Sequence, residues 1–209
     1  MRCARERGRV TGIWQPIIEL ILASLVIMGS PGPSTISVTA MGAAFGFRRS
    51  LPYAFGLVFG TTAVLGIVSA GVFTIILSIP HGAQVFGAVS AVYLLYLAFR
   101  IATAPPLQSP HGTGASPSFL AGFLLAIANP KAYLAIAAVF AGSTIFADHA
   151  RDTVAKLTLL SVMIVIIHAG WLAAGASLAR ALGDPRWSRV INVCLAALLV
   201  VMTWLAWAG

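Results

Sequence analysis

Apolar residues dominate the chain in six long runs, at 13–47, 50–79, 82–103, 118–146, 154–182 and 187–208. A membrane-crossing helix needs about 20 mostly apolar residues, and each run reaches that length. The pattern predicts an all-α integral membrane protein with about six transmembrane helices. Polar residues mark the boundaries. Pro80 separates the second and third runs, and the stretch APPLQSPHGTGASP at 104–117 is rich in Pro, Ser and Gly, as an exposed linker is. This linker splits the runs three and three. The expected organisation is a basic N-terminal tail at 1–12, a three-helix repeat at 13–103, the linker, and a second three-helix repeat at 118–209.

The first run is too long for a simple span. Thirty-five helical residues would extend about 52 Å, against a hydrocarbon core of about 30 Å. Near its middle stands Pro31-Gly32-Pro33, and both residue types interrupt helices. The fourth run carries Asn129-Pro130-Lys131 in the corresponding place. The first member of each half is therefore expected to be broken at mid-depth. Three spans per half force the second half to enter the membrane from the opposite side. Inverted repeats with broken helices are a recurring transporter design, and the breaks point to the binding site.

The residues at the breaks carry the candidate chemistry. Asn129 is a favoured N-cap and Pro130 a favoured first helical residue, so a half-helix is expected from Pro130 to about Phe146. Gly32 and Pro33 are expected to open another, from Ser34 to about Phe47. Both N-termini would offer unpaired N–H groups and partial positive charge at the midplane. Ser34, Thr35 and Ser37 add hydroxyls, and Lys131 adds a full charge too deep to snorkel out. The set Pro31, Gly32, Pro33, Ser34, Thr35, Ser37, Asn129, Pro130 and Lys131 is thus a candidate substrate-binding site for a carboxylate. His168, central in the fifth run, is the candidate proton carrier, since a free imidazole titrates near about pH 6.5. Gly42, Gly46, Gly56 and Gly60 are expected at close helix contacts, Tyr93 and Tyr96 as interfacial anchors, and DHARDTVAK as a solvated loop.

Charge and cysteine content narrow the function classes. Only 9% of residues are charged, whereas soluble domains carry about 25%. The net charge of +8 comes from basic residues scattered through the gaps between runs, which loop-charge asymmetry explains. No basic stripe with aromatics is present, so nucleic acid is not an expected partner. Arg48, Arg49, Arg100, Arg180, Arg186 and Arg189 follow odd-numbered runs; Arg151, Lys156 and the tail's Arg2, Arg5, Arg7 and Arg9 lie on the other side. The counts tie, and charge leaves the orientation open. The basic start is read as the tail of a first span and not as a cleaved signal. Cys3 and Cys194 are far apart, without metal spacing. No cofactor, metal or clustered acid–base constellation is expected, and so no enzyme.

Three stretches together carry a family resemblance: SPGPSTISVTAMGAAFGFRRSLPYAFGLVFG, AVYLLYLAFR and FLAGFLLAIANPKAYL in order, with PGP, GFR and NPKA inside them. The sequence resembles the LysE/RhtB-type exporters, bacterial membrane proteins that expel amino acids and related metabolites. It departs at Ser34, where the family commonly has Asn, at Ala98 for a frequent Gly, and at residues 141–143. The resemblance implies export across the inner (plasma) membrane, an amino acid-like small molecule as partner, coupling to an ion gradient, and family motif positions at Pro31, Gly32, Pro33, Asn129, Pro130 and Lys131. Membrane lipid is the other expected partner, and the glycine-rich faces allow a homo-oligomer. The rival functions are a channel or anion pore built on the same cradle, and a non-transporting scaffold subunit.

Overall fold

The computed structural model describes residues 2–103, 118–182 and 185–208. The predicted linker at 104–117 lies outside the described residues. Eight α-helices and no strand occur among those described: α1 Arg2–Ala23, α2 Pro33–Ser69, α3 Val72–Ser78, α4 Gly82–Ala102, α5 Phe119–Ile127, α6 Pro130–Ala141, α7 His149–Leu182 and α8 Pro185–Ala208. A π turn, Ser24–Met28, continues α1. Three helices are long and apolar enough to cross a membrane: Pro33–Ser69, Gly82–Ala102 and His149–Leu178. α5 and α6 meet at a 62° bend and make a fourth if they form one broken span. Gly12–Met28 and Arg189–Leu205 are shorter apolar helices.

Helix α2 is two helices folded on one another. At Gly46 the backbone takes φ 76° and ψ 170°, a conformation open essentially to glycine alone. The Ser50 hydroxyl reaches back across this turn and donates to the Met41 carbonyl at 2.8 Å, satisfying an acceptor that the break would orphan. Pro52, which lacks an N–H, stands early in the C-terminal arm. Gly46 is thus a corner and not the packing position expected of it. The first run accordingly ends where the sequence pattern placed it. The second run, expected to be continuous over 50–79, is split at Gly71, whose φ is 73°.

The two arms of α2 pack on different partners. On the N-terminal arm, a Cβ at Gly42 would lie 2.6 Å from the Leu172 carbonyl oxygen of α7, and one at Gly175 would collide with Thr39. On the C-terminal arm, Gly56 sits against the Phe119 carbonyl of α5, and Gly122 of α5 against the Tyr53 carbonyl. Small residues let these backbones touch, as interfaces between membrane helices require. Two apolar clusters follow. One gathers Val38, Tyr53, Leu57, Leu97, Leu125 and Leu172. The other gathers Leu20, Val64, Leu65, Tyr133, Ile136 and Leu160.

The second half shows two departures from expectation. α6 ends at Ala141 and not near Phe146. α7 begins at His149, and the charges expected in a solvated loop are inside it: Asp152 and Lys156 are both buried and pair at 2.7 Å. The Asp152 carboxylate also accepts the N–H groups of Ile145 at 2.6 Å and Phe146 at 3.0 Å, which holds the α6–α7 connection. In the first half, Tyr93 of α4 is half-buried and donates to the Ala121 carbonyl of α5 at 2.7 Å.

Candidate functional site

The two breaks meet. The first separates the π turn from α2 at residues 29–32; the second separates α5 from α6 at Ala128 and Asn129. Each break exposes a carbonyl end and an N–H end, and the chain satisfies much of both locally. At the first, Gly32 N–H donates to the Thr35 hydroxyl at 2.8 Å, and Pro33 occupies the first helical position, where its missing N–H costs nothing. At the second, Asn129 is the N-cap, its side-chain oxygen accepting Lys131 N–H at 3.2 Å. Of the N–H groups expected to be unpaired at the two half-helix N-termini, that of Lys131 is therefore capped by Asn129, while at α2 the paired N–H is that of the N-cap residue Gly32 itself.

Two side chains stitch the second break to the first. The Asn129 amide donates to the Ser34 hydroxyl at 2.8 Å. Lys131 crosses to the opposite end of the same break. Its Nζ lies 2.7 Å from the Ser30 carbonyl, 2.8 Å from the Ser30 hydroxyl and 2.7 Å from the Pro31 carbonyl. An ammonium has three donors, and three oxygens are in place for them. Gly32 makes room, since a Cβ there would stand 2.6 Å from Lys131 Cδ and 2.8 Å from Nζ. The ammonium thus neutralises the carbonyl end of the first helix, where a cation is favoured.

Two cavities flank this bridge. A large one, ≈ 960 Å³, opens between α3, α4, α6 and α8, with Phe73, Leu77, Phe86, Leu134 and Met202 on its walls. The hydroxyls on those walls are tied to their own helices, Ser90 to the Phe86 carbonyl and Thr203 to the Leu199 carbonyl. The small cavity, ≈ 40 Å³, brings Ser34, Thr35, Thr61 and His168 together with apolar side chains such as Ile136 and Ile164. Ser30, Gly32, Asn129 and Lys131 line both. Lys131 is the one charged residue in either lining among the described residues.

Of the residues predicted from sequence, Gly32, Pro33, Ser34, Thr35, Asn129, Pro130 and Lys131 line one or both cavities, and Pro31 contributes its carbonyl to the bridge. Ser37 lies behind them, accepting from the Tyr53 hydroxyl at 3.1 Å and donating to the Ser34 carbonyl at 2.9 Å. His168 faces the small cavity. Its Nδ1 lies 2.8 Å from the Ile164 carbonyl, which assigns the proton to Nδ1 and leaves Nε2 as a buried acceptor without a partner. Thr61 Oγ1 is likewise buried and without a partner. The cavity between them has about the volume of one water molecule.

Sequence reasoning missed Ser30, Thr61 and Trp171. Ser30 belongs to the quoted break, but a serine beside a proline gives no hint that its carbonyl will face a lysine about a hundred positions away. Trp171, one helical turn from His168, donates from Nε1 to the Gly29 carbonyl at 3.1 Å and braces the same break from α7.

Comparison with known proteins gives the family. The chain matches the family described as LysE type translocator over residues 25–206. It is similar to proteins named cysteine/O-acetylserine efflux protein from Escherichia coli (strain K12) and Shigella sonnei (strain Ss046). Each is 27% identical over 179 residues, which cover 85% of this chain and 90% of the relative. No solved structure matches.

Proposed function

The chain belongs to the family of LysE type translocators, a membrane transporter and not an enzyme, and from that premise we propose that it is a secondary exporter of an amino acid or related small carboxylate-bearing metabolite. The observation that carries this is the Lys131 bridge: an ammonium anchored on a helix break, on the wall of a ≈ 960 Å³ cavity whose lining is mostly apolar. Such an ammonium suits a carboxylate, and such a lining suits a side chain without charge. The relatives' names point to efflux of small amino acids, which supports the same class.

In this proposal the apolar runs form six spans in the inner membrane. Gly12–Met28 and Arg189–Leu205 join the longer helices and the bent α5–α6 pair. At about 25 Å, Arg189–Leu205 sits at the lower end of the spanning range, while Gly12–Met28 is completed as one broken span by the N-terminal arm of α2. The two halves are inverted repeats, the breaks lie at the midplane, and rocking of one half against the other alternates access. The candidate site is the set of break residues from Pro31 to Ser37 and from Asn129 to Lys131. His168 carries the coupling proton on Nε2.

Cells expressing the protein should lose an amino acid to the medium faster than control cells, by metabolite profiling of both compartments. Lys131→Ala should abolish that excess with the protein still present in the membrane. Unchanged efflux in Lys131→Ala across the whole profile would remove Lys131 from the site. Saturable counterflow in proteoliposomes distinguishes a carrier from a pore.

A further inference from the structure

The three oxygens that hold Lys131 form a complete binding site for a primary ammonium. Ser30 contributes its carbonyl and its hydroxyl, Pro31 its carbonyl, at 2.7, 2.8 and 2.7 Å from Nζ. The site stands at the carbonyl end of the first helix, where the helix dipole and unpaired acceptors favour a cation. No aspartate or glutamate lines either cavity among the described residues. A zwitterion entering the large cavity therefore meets one formal positive charge and no formal negative charge. The acceptors suited to its own ammonium are the ones that Lys131 occupies.

Building on the export reading above, we infer that the Ser30 and Pro31 oxygens are the substrate's α-ammonium site, with the Lys131 ammonium as its internal occupant until substrate arrives. Binding is then an exchange. The substrate carboxylate draws Lys131 away, because an ionised acceptor makes the stronger hydrogen bond. The substrate ammonium takes the vacated oxygens, so no polar group is left without a partner. A carboxylate lacking the ammonium would strip Lys131 from the break and leave the Ser30 carbonyl with only the Thr35 hydroxyl at 3.4 Å, and the Ser30 hydroxyl oxygen and Pro31 carbonyl without that donor. An amine lacking the carboxylate would displace Lys131 with nowhere for its charge to go. The site thus selects solutes that carry both charges. Since Lys131 lines both cavities, the same movement alters the wall that the large cavity shares with the small one that His168 faces.

Two measurements on the full chain test this. In detergent, Lys131→Ala empties the cradle. The chloride salt of n-propylammonium should raise the Tm of this variant by about 2 °C or more over the same concentration of tetramethylammonium, which matches the charge and lacks N–H donors. The wild type, its cradle filled, should show no difference between the salts. No difference in Lys131→Ala overturns the inference; Lys131→Met serves equally if the alanine variant does not fold. In proteoliposomes bearing the wild type, cysteine, O-acetylserine and leucine are compared as counterflow substrates with their des-amino acids and decarboxylated amines. The zwitterions should compete about tenfold better or more. Equal competition by a des-amino acid overturns the ammonium site and leaves export standing. Failure of the wild type to move any of the three amino acids overturns the export reading, and the inference with it.

Discussion

Single residues at the breaks do work that their neighbours could not replace. Gly32 has an extended backbone, φ −174°, which any residue adopts; its requirement is space alone. A methyl group there would meet Lys131 Cδ and Nζ at 2.6 and 2.8 Å. Lys131 would have to shift, which disturbs three charge-assisted hydrogen bonds of about 1.5–3 kcal/mol each. Gly32→Ala is therefore expected to fold and reach the membrane yet to lose most efflux, measured against protein level. Wild-type efflux would show that the bridge is dispensable. His168 makes a second test at this scale. Its Nε2 is the buried acceptor that the coupling proton would occupy. In His168→Gln, efflux should stop responding to an imposed pH gradient, and substrate counterflow, which needs no net proton movement, should persist. A gradient response equal to the wild type would assign coupling elsewhere.

Elements are held by corners and bare backbone contacts, and only some of these were legible in the sequence. The proline breaks were, because Pro31-Gly32-Pro33 and Asn129-Pro130 combine missing donors with capping residues in the middle of runs too long for one span. The Gly46 corner was not. Helical spacing from Gly42 made it look like a packing position, and only its φ of 76° distinguishes it. Burial of Asp152 and Lys156 was hidden for another reason. Polar residues in a short gap read as solvated, whereas here the carboxylate is needed to accept two backbone N–H groups. The candidate site was legible as a set of residues, but not as a hydrogen-bond pattern. The sequence implied tips aimed at a ligand, and the chain instead turns the Lys131 charge onto the carbonyls of the other break. The glycine contacts give a prediction at this scale. Gly122→Val drives a branched side chain into the Tyr53 backbone of α2, and backbone cannot yield as a flexible side chain can. Overpacking of this kind costs about 1–3 kcal/mol, so the variant should melt earlier in detergent than the wild type. Gly66→Val, where a Cβ would meet nothing within 4 Å, should not. Equal melting of the two variants would mean that the α2–α5 contact is not tight.

At the scale of the whole molecule, the distribution of polarity is reversed from that of a water-soluble protein. Large apolar side chains point outward from most of the long helices: Trp14, Phe59, Val92, Ile166 and Trp204 are all exposed. Polar side chains point inward, with Ser34, Thr35, Ser37, Thr61, Asn129 and His168 all buried around the breaks. An exterior of this kind needs lipid, and lipid tolerates broken helices only where protein encloses them. The proposed six-span arrangement makes a definite claim about sides. With three spans in each half, the corner at Arg49 and the linker at Ser109 belong on one face of the membrane, and the turns at His81 and Asp148 on the other. Single cysteines at these four positions, in a chain whose Cys3 and Cys194 are replaced, can be labelled by a membrane-impermeant thiol reagent in intact cells and in inverted vesicles. Arg49→Cys and Ser109→Cys should react in one preparation, His81→Cys and Asp148→Cys in the other. Labelling of Arg49→Cys and His81→Cys from the same side would mean that the C-terminal arm of α2 turns back with α3 without crossing. The two halves would then not be inverted copies, and a site shared between them at the midplane would lose its geometric basis.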